Sequence, residues 1–299
     1  MKIYYSDHYD LPLPKEHRFP MQKYGLVRKS LLERRIVEAD ELYPAPLCSK
    51  EDILRVHTED YYLAIQNGTL DPKEQRLIGF PWSPIMIKRS RASVGGYLAA
   101  VNTSLKDGIA GNLSGGTHHS FPDRGEGFCV FNDFAIASKK LIDERGFKNI
   151  LILDLDVHQG NGNAFILTPI KETYVVSFHG MNNYPFRKER SDLDIELPDG
   201  ATDDIFLSQL KVTLKELQIM RPWDIILYQA GVDGLKEDKL GKLSLSHQGM
   251  HERDRLVFQF ARDNGTPLAV ALGGGYSDPI TSTVEAHLNT YRAIKEIYS

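Results

Sequence analysis

From residue 109 onward the chain alternates short apolar runs with amphipathic stretches, and this alternation restricts the fold more than any other feature. Strands are expected over Ile109–Leu113, Ile150–Leu155, Thr173–Phe178, Ile225–Gln229 and Leu268–Leu272. Helices are expected over Asp133–Arg145, Asp203–Leu217, His247–Arg262 and Pro279–Ile297. Strands and helices in alternation build a parallel sheet covered on both faces. Runs such as NILILDL and DIILYQA lack polar alternation, as strands buried on both sides do. The first 80 residues are rich in Pro and Tyr and read as irregular, with an edge strand at Ile3–Tyr5 and helices at Tyr24–Arg35 and Asp60–Gln66. A longer helix is expected over Ile85–Lys106. No repeat or Ser/Gly linker divides the chain, so one α/β domain over residues 1–299 is expected. The crossover order is not readable.

In such a sheet ligands bind outside the carboxyl ends of the strands. All five expected strands stop at glycine plus a reactive side chain: GGTHH, DLDVHQGNG, FHG, AGVDG and GGGY. Along DLDVH the side chains alternate, so Asp154, Asp156 and His158 share one face. Carboxylates so close repel unless a cation is present. Asp156, His158 and, from a neighbouring loop, Asp233 therefore form a metal-ligand set that leaves a coordination position open. The plainer alternative is that Asp156 and His158 cap the following helix. His118 and His119 are adjacent on a short turn and flank one water better than they ligate one ion. Histidine suits the base and acid roles. Asp154 is placed to orient one imidazole, and Asn161 the other. A structural histidine beside a loop histidine is the alternative.

Tyr276 follows Gly273–Gly275 and can swing its hydroxyl toward an oxyanion. Phe128 beside Gly127, and Tyr184 beside Pro185, either wall an apolar channel or belong to the core. His57 reads as packing at a helix N-terminus. His8, His17, His247, His251 and His287 read as structural or solvated, Arg187–Arg190 as a solvated loop, and Cys129 as a small buried residue. Arg18 either lines an internal cavity or serves the surface.

Composition excludes other classes. Over 299 residues the net charge is −4 and no basic run stands out, which argues against direct nucleic-acid binding. No apolar run approaches a membrane span, and the N-terminus has no signal-peptide core. Two cysteines, Cys48 and Cys129, fit a reducing, cytoplasmic compartment.

The segments GGTHHSFPDRGEGFCVFND, ILDLDVHQGNG, SFHG, YQAGVDGL and LGGGY together resemble the histone deacetylase superfamily, in family order, and look closest to the class IV branch and its bacterial relatives. The resemblance implies the three-layer arginase/deacetylase fold, with a single mostly parallel sheet of about eight strands and helices on both faces. It implies one Zn2+ per active site, held by Asp156, His158 and Asp233, and a structural potassium ion (K+) near Asp154, Asp156, His158, Ser177 and Phe178. His119 would be the general base and later the proton donor. His118, paired with Asp154, would tune the electrostatics, and Tyr276 would stabilise the oxyanion. Phe128 and Tyr184 would grip an acyl-lysine stem beside the Gly127 carbonyl.

Three departures qualify the match. Asn161 stands where most classes carry aspartate, so His119 should be less basic. FPWSPIMIKR offers no acid matching the rim aspartate of other classes. Gly160 stands where the two-metal arginases carry a further ligand, so a single metal is expected. The reading is a zinc-dependent hydrolase of N-acyl-lysine in proteins. The alternatives are a small N-acyl amine hydrolase, such as an acetylpolyamine amidohydrolase, and a non-catalytic acyl-lysine reader. Acyl chain length and oligomeric state are not legible.

Overall fold

A computed structural model describes residues 1–14 and 16–298. Eight strands are β1 (Lys2–Tyr5), β2 (Leu42–Pro44), β3 (Ile109–Asn112), β4 (Ile150–Asp154), β5 (Thr173–Gly180), β6 (Leu193–Leu197), β7 (Ile225–Gln229) and β8 (Leu268–Ala271). They form one sheet in the order β2-β1-β3-β8-β7-β4-β5-β6, and every neighbouring pair is parallel. The central strands β3, β4, β7 and β8 are buried at every residue. Their continuous apolar runs are therefore covered on both faces, as expected.

Two helical layers do the covering. On one side α5 (Pro84–Asp107) packs on α6 (Asp133–Arg145), and α6 on α7 (Asn161–Leu167). On the other, α1 (Lys23–Glu33) meets α10 (Ile280–Tyr298), which packs on α9 (His247–Asp263) and then α8 (Asp203–Met220). Shorter helices α2 (Lys50–Ile53), α3 (Glu59–Asn67) and α4 (Pro72–Ile78) lie in the N-terminal part. Helix ends follow local chemistry. Asn132 caps α6 by accepting from the Ala135 N–H at 2.8 Å, and Gly146, at φ 67°, stops it.

Two expectations are corrected. Ile3–Tyr5 is not an edge strand, because β1 pairs with both β2 and β3. The true edges, β2 and β6, gave no strand signal. β2 is three largely exposed residues ending in proline, and β6 is LDIEL, charged at alternate positions.

The topology creates the site. After β4 the chain builds outward through β5 to β6, whereas after β7 it builds the other way to β8. β4 and β7 are neighbours, so the winding reverses between them and a crevice opens at their carboxyl ends.

One buried cation locks that reversal. Arg253 of α9 is fully buried. Its guanidinium donates to the carbonyls of Leu155 after β4 (3.3 Å), and of Ala230 (3.3 Å) and Gly231 (2.5 Å) after β7. Its neighbour Asp254 accepts from Arg253 (2.8 Å), the Tyr228 hydroxyl (2.5 Å) and Thr290 Oγ1 (2.6 Å). Every strong group there is matched, so removing one partner leaves others stranded.

Arg253→Met is expected to cost about 3–5 kcal/mol in urea denaturation, because three carbonyls lose this donor and Asp254 loses its countercharge. A loss below about 1 kcal/mol would count against the lock. A second outcome concerns His57, buried with Nε2 accepting from the Asn132 N–H at 2.9 Å. Burial pushes its pKa down to about 4 from 6.5. The unfolded imidazole binds a proton below pH 6.5 and the folded one only near 4. Stability from this group is therefore complete above pH 6.5 and lost as pH falls, by about 3 kcal/mol in all. His57→Gln should flatten the stability–pH slope in that window by about one proton, and an unchanged slope would exclude the assignment.

Candidate active site

The histidine pair is held from below. Asp133, at the start of α6, accepts from the backbone N–H groups of Gly116 (2.8 Å) and Thr117 (2.9 Å), and this turn delivers His118 and His119 buried at the ends of β3 and β4. Their ring centroids lie 4.1 Å apart. His118 Nδ1 meets Asp154 Oδ2 at 2.7 Å, and His119 Nδ1 meets Asn161 Oδ1 at 2.7 Å. Burial alone would depress His118, but the Asp154 charge and hydrogen bond outweigh it and push the ring up to about 9. Burial and the positive His118 and His158 beside it hold His119 well below its ordinary value. The pair thus divides into a charged and a neutral imidazole.

Asp156, His158 and Asp233 are buried together, with one ligand atom from each within 4.8 Å of the others. His158 Nδ1 lies 3.1 Å from Asp156 Oδ1 and 3.0 Å from Asp233 Oδ2. Burial and the Asp156 charge push Asp233 up to about 7. Against burial, the two carboxylates push His158 up to about 10. This is a group short of positive charge, and two carboxylates with one imidazole are donors a divalent ion takes. The backbone makes room for them: a Cβ at Gly231 would lie 2.0 Å from Asp156 Oδ2, and one at Gly274 2.0 Å from Asp233 Oδ2. The residues fit Zn2+. Of the potassium set, Asp154 and Ser177 are register partners across β4 and β5, and Ser177 Oγ engages His179 Nδ1 at 3.0 Å.

Tyr276 enters from the glycine turn after β8. Its backbone N–H donates to Asp238 Oδ2 at 2.6 Å. Burial holds its phenol protonated, well above the usual range. Lys23, fully buried on α1, donates through Nζ to the Gly273 carbonyl (3.0 Å) and the Gly275 carbonyl (3.5 Å), and sits 5.2 Å from the Tyr276 ring centroid.

Glu126, Gly127, Phe128 and Cys129 form one tight turn, closed by Cys129 N–H donating to the Glu126 carbonyl at 2.9 Å. Both central residues have positive φ, 57° at Gly127 and 65° at Phe128. A Cβ at Gly127 would lie 2.6 Å from His119 Cδ2, so glycine lets the turn press on the imidazole. Phe128 packs on Phe19 (5.0 Å) and Phe80 (5.4 Å). Tyr184 stands edge-on to His119 at 5.1 Å. Burial and the Glu126 charge raise its phenol above the usual range. Phe128 and Tyr184 both line an outer basin of about 730 Å³ that also reaches His119, His158 and Tyr276. Inward, beside the histidine pair, lies a space of only about 40 Å³, closed by Phe19, Tyr24, Arg89 and Ser93. Burial raises the Cys129 thiol far above its usual range, and its Sγ meets the Gly127 carbonyl at 3.4 Å rather than a base among the described residues.

All eleven residues singled out from the sequence converge on this crevice. Of the two readings open for Arg18, the surface one holds: Arg18 is exposed on the outer basin, and Arg89 lines the inner space. Arg89 lies 5.2–5.3 Å from the Phe19, Tyr24 and Phe80 rings. Lys188 is not merely solvated, since its ammonium donates to the carbonyls of Asn183 and Pro185 at 2.7 Å and shapes the Tyr184 loop. His17 contacts the Gly79 carbonyl at 2.9 Å and the Phe128 ring at 5.9 Å, beside the channel. Sequence reading missed Lys23, Arg89, Glu126, Asp133 and Asp238. Asp133 and Glu126 lay inside a quoted motif, whereas Lys23 carries no local signal.

The histone deacetylase domain model matches residues 17–291. An uncharacterized protein of Picosynechococcus sp. is 42% identical over 297 residues, 99% of this chain and 98% of that one. Histone deacetylase 2 of Arabidopsis thaliana is 31% identical over 92% of this chain and 74% of its own. Acetoin utilization protein AcuC of Bacillus subtilis is 28% identical over 92% and 77%. The crystal structure of an HDAC homolog complexed with SAHA superposes with a TM-score of 0.83 at 26% identity, covering 99% of this chain and 88% of that chain.

Metal analysis after equilibrium dialysis is expected to find one Zn2+ per chain. Asp156→Asn and Asp233→Asn keep side-chain shape but remove charge, and each should weaken binding by more than about 100-fold. Undiminished binding in both variants would exclude this ligand set.

Proposed function

This chain belongs to the histone deacetylase family and is a hydrolase acting on amides; on that premise we propose that it removes short acyl groups from N-acyl-lysine. The observation that carries the reading is one cavity lined by Asp156, His158, the neutral His119 and Tyr276, with Asp233 grouped behind Asp156 and His158. Zn2+ held by that set would supply Lewis-acid polarisation of the amide carbonyl and of the attacking water. The chain's own groups do the rest. Phe128 and Tyr184 flank the methylene stem and exclude water from it. The Gly127 carbonyl accepts from the substrate amide N–H. His119 Nε2 takes the proton of the water as it attacks. The Tyr276 hydroxyl donates to the carbonyl oxygen as negative charge grows there. His119 then returns its proton to the amine, which leaves as free lysine. His118 remains charged on Asp154 and favours the developing negative charge.

Two observations refine the substrate. The inner space of about 40 Å³ is well below the roughly 150 Å³ that takes up a benzene, so an acetyl methyl fits and a long alkyl chain does not. The outer basin carries Arg18, Arg76, Lys239 and Lys242 against Glu16, although the chain as a whole is acidic. Only Lys239 among these cations has a carboxylate partner among the described residues, Asp278 at 2.6 Å. A basic mouth repels a polyamine, so it favours acyl-lysine, particularly between acidic residues, over the acetylpolyamine reading. A cytoplasmic location is part of the proposal; no described helix is long and apolar enough to cross a membrane.

Zinc-loaded protein should turn over acetyl-lysine peptides faster than butyryl, octanoyl or myristoyl ones, and His119→Ala and Tyr276→Phe should each lose at least about 100-fold in kcat. Preference for myristoyl would overturn the size argument. No turnover of any peptide would sink the acyl-lysine reading. Glutamate-flanked peptides should outrun lysine-flanked ones at low salt, with the gap narrowing as salt rises. Equal rates would remove the role given to the basic mouth.

A further inference from the structure

Asn161 is the place where the site departs most from the commoner pattern, since an amide cannot lend His119 the charge an aspartate would. The structure places a carboxylate directly behind it. Asn161 Nδ2 donates to Glu126 Oε1 at 2.5 Å, while Asn161 Oδ1 faces His119 Nδ1 at 2.7 Å. Asn161 is buried at the first position of α7, and Glu126 is half-buried at the head of the turn that also presses Gly127 on the His119 ring.

An isolated asparagine can present either its oxygen or its NH2 to an imidazole. A carboxylate only accepts, so the contact with Glu126 commits the NH2 and turns Oδ1 toward the ring. His119 Nδ1 must then carry the hydrogen, and Nε2 is left with its lone pair toward the cavity shared with Asp156, His158 and Tyr276. The negative charge, one residue removed, also polarises the amide toward the imidazole.

We propose that Glu126 is a positioning residue that acts through Asn161, fixing the His119 tautomer and supplying through an amide the charge that Asn161 lacks. This rests on the reading of His119 as the base, but its geometry is testable without turnover. The relay predicts that amide and carboxylate can be exchanged. Glu126→Gln allows the Asn161 amide to reverse. Asn161→Asp sets two carboxylates against each other. Glu126→Gln/Asn161→Asp restores one acceptor-only group between two donors.

The test combines kinetics with nitrogen-15 NMR of histidine-labelled, zinc-loaded protein, the His119 signals being assigned by their absence in His119→Gln. Wild type should show His119 as the Nδ1–H tautomer. Glu126→Gln should show mixed tautomers and lose at least about tenfold in kcat with KM within about twofold, since a misplaced tautomer disables a base and leaves binding intact. Asn161→Asp alone should be impaired as well. The double variant should recover the Nδ1–H tautomer and most of kcat. A pure Nδ1–H tautomer in Glu126→Gln, or a double variant no better than Glu126→Gln, would overturn the proposal. If wild type turns over no acyl-lysine, the function reading fails, and the tautomer spectra of the same four proteins still decide the relay.

Discussion

Three buried carboxylates crowd the reversal point of the sheet, and the rest of the structure depends on how their charge is matched. Asp154 ends β4, Asp156 follows it, and Asp233 follows β7. In a low-dielectric interior such charges are tolerated only when paired and hydrogen-bonded. Here they are met from different sides. His118 takes Asp154, and His158 stands between Asp156 and Asp233. Backbone N–H groups add to this: Val157 donates to Asp233 at 3.0 Å and Gly274 to Asp156 at 2.9 Å. From behind, Arg253 ties both strand ends together and feels the Asp233 charge. The same grouping brings Asp156, His158 and Asp233 close enough to hold a metal ion, so the contacts that match buried charge here also build a set of ligand atoms.

Around that centre, chemistry is carried by turns anchored at both ends. Asp133 grips the histidine turn, Asp238 the Tyr276 turn and Lys23 the glycine carbonyls before it. Each anchor is a charged side chain bonded to backbone, which is a stronger constraint than a neutral contact. The reactive groups can therefore sit on loops, where substrate reaches them, and keep fixed positions. The Glu126–Cys129 turn combines several contacts: the Phe128 ring on the outer basin, the approach of Gly127 to His119 and the carboxylate behind Asn161.

The site differs in character between its inner and outer parts. The inner space is closed by aromatic rings and the Arg89 stacked among them, and the outer mouth carries Arg18, Arg76 of α4, and Lys239 and Lys242 of the loop after β7.

Much of this was legible in the residues. Burial on both faces forces uninterrupted apolar runs, so β3, β4, β5, β7 and β8 announced themselves; the residues of DLDVH were legible as site candidates, but the strand alternation expected there stops at Asp154, and a bend carries Asp156 and His158. Edge strands β2 and β6 did not, because a half-solvated strand needs no such run. Periodicity is local, and tertiary neighbours are not. That Asp233 meets Asp156 followed only once β7 lay beside β4, a consequence of crossover order. Lys23 reaches acceptors some 250 residues away, and Glu126 reaches Asn161 across 35. The sequence by itself determined the fold class and the kinds of groups at the strand ends, since burial and side-chain alternation act residue by residue. Only the tertiary structure decided which charges face one another, because in a folded chain that depends on which strand ends are adjacent.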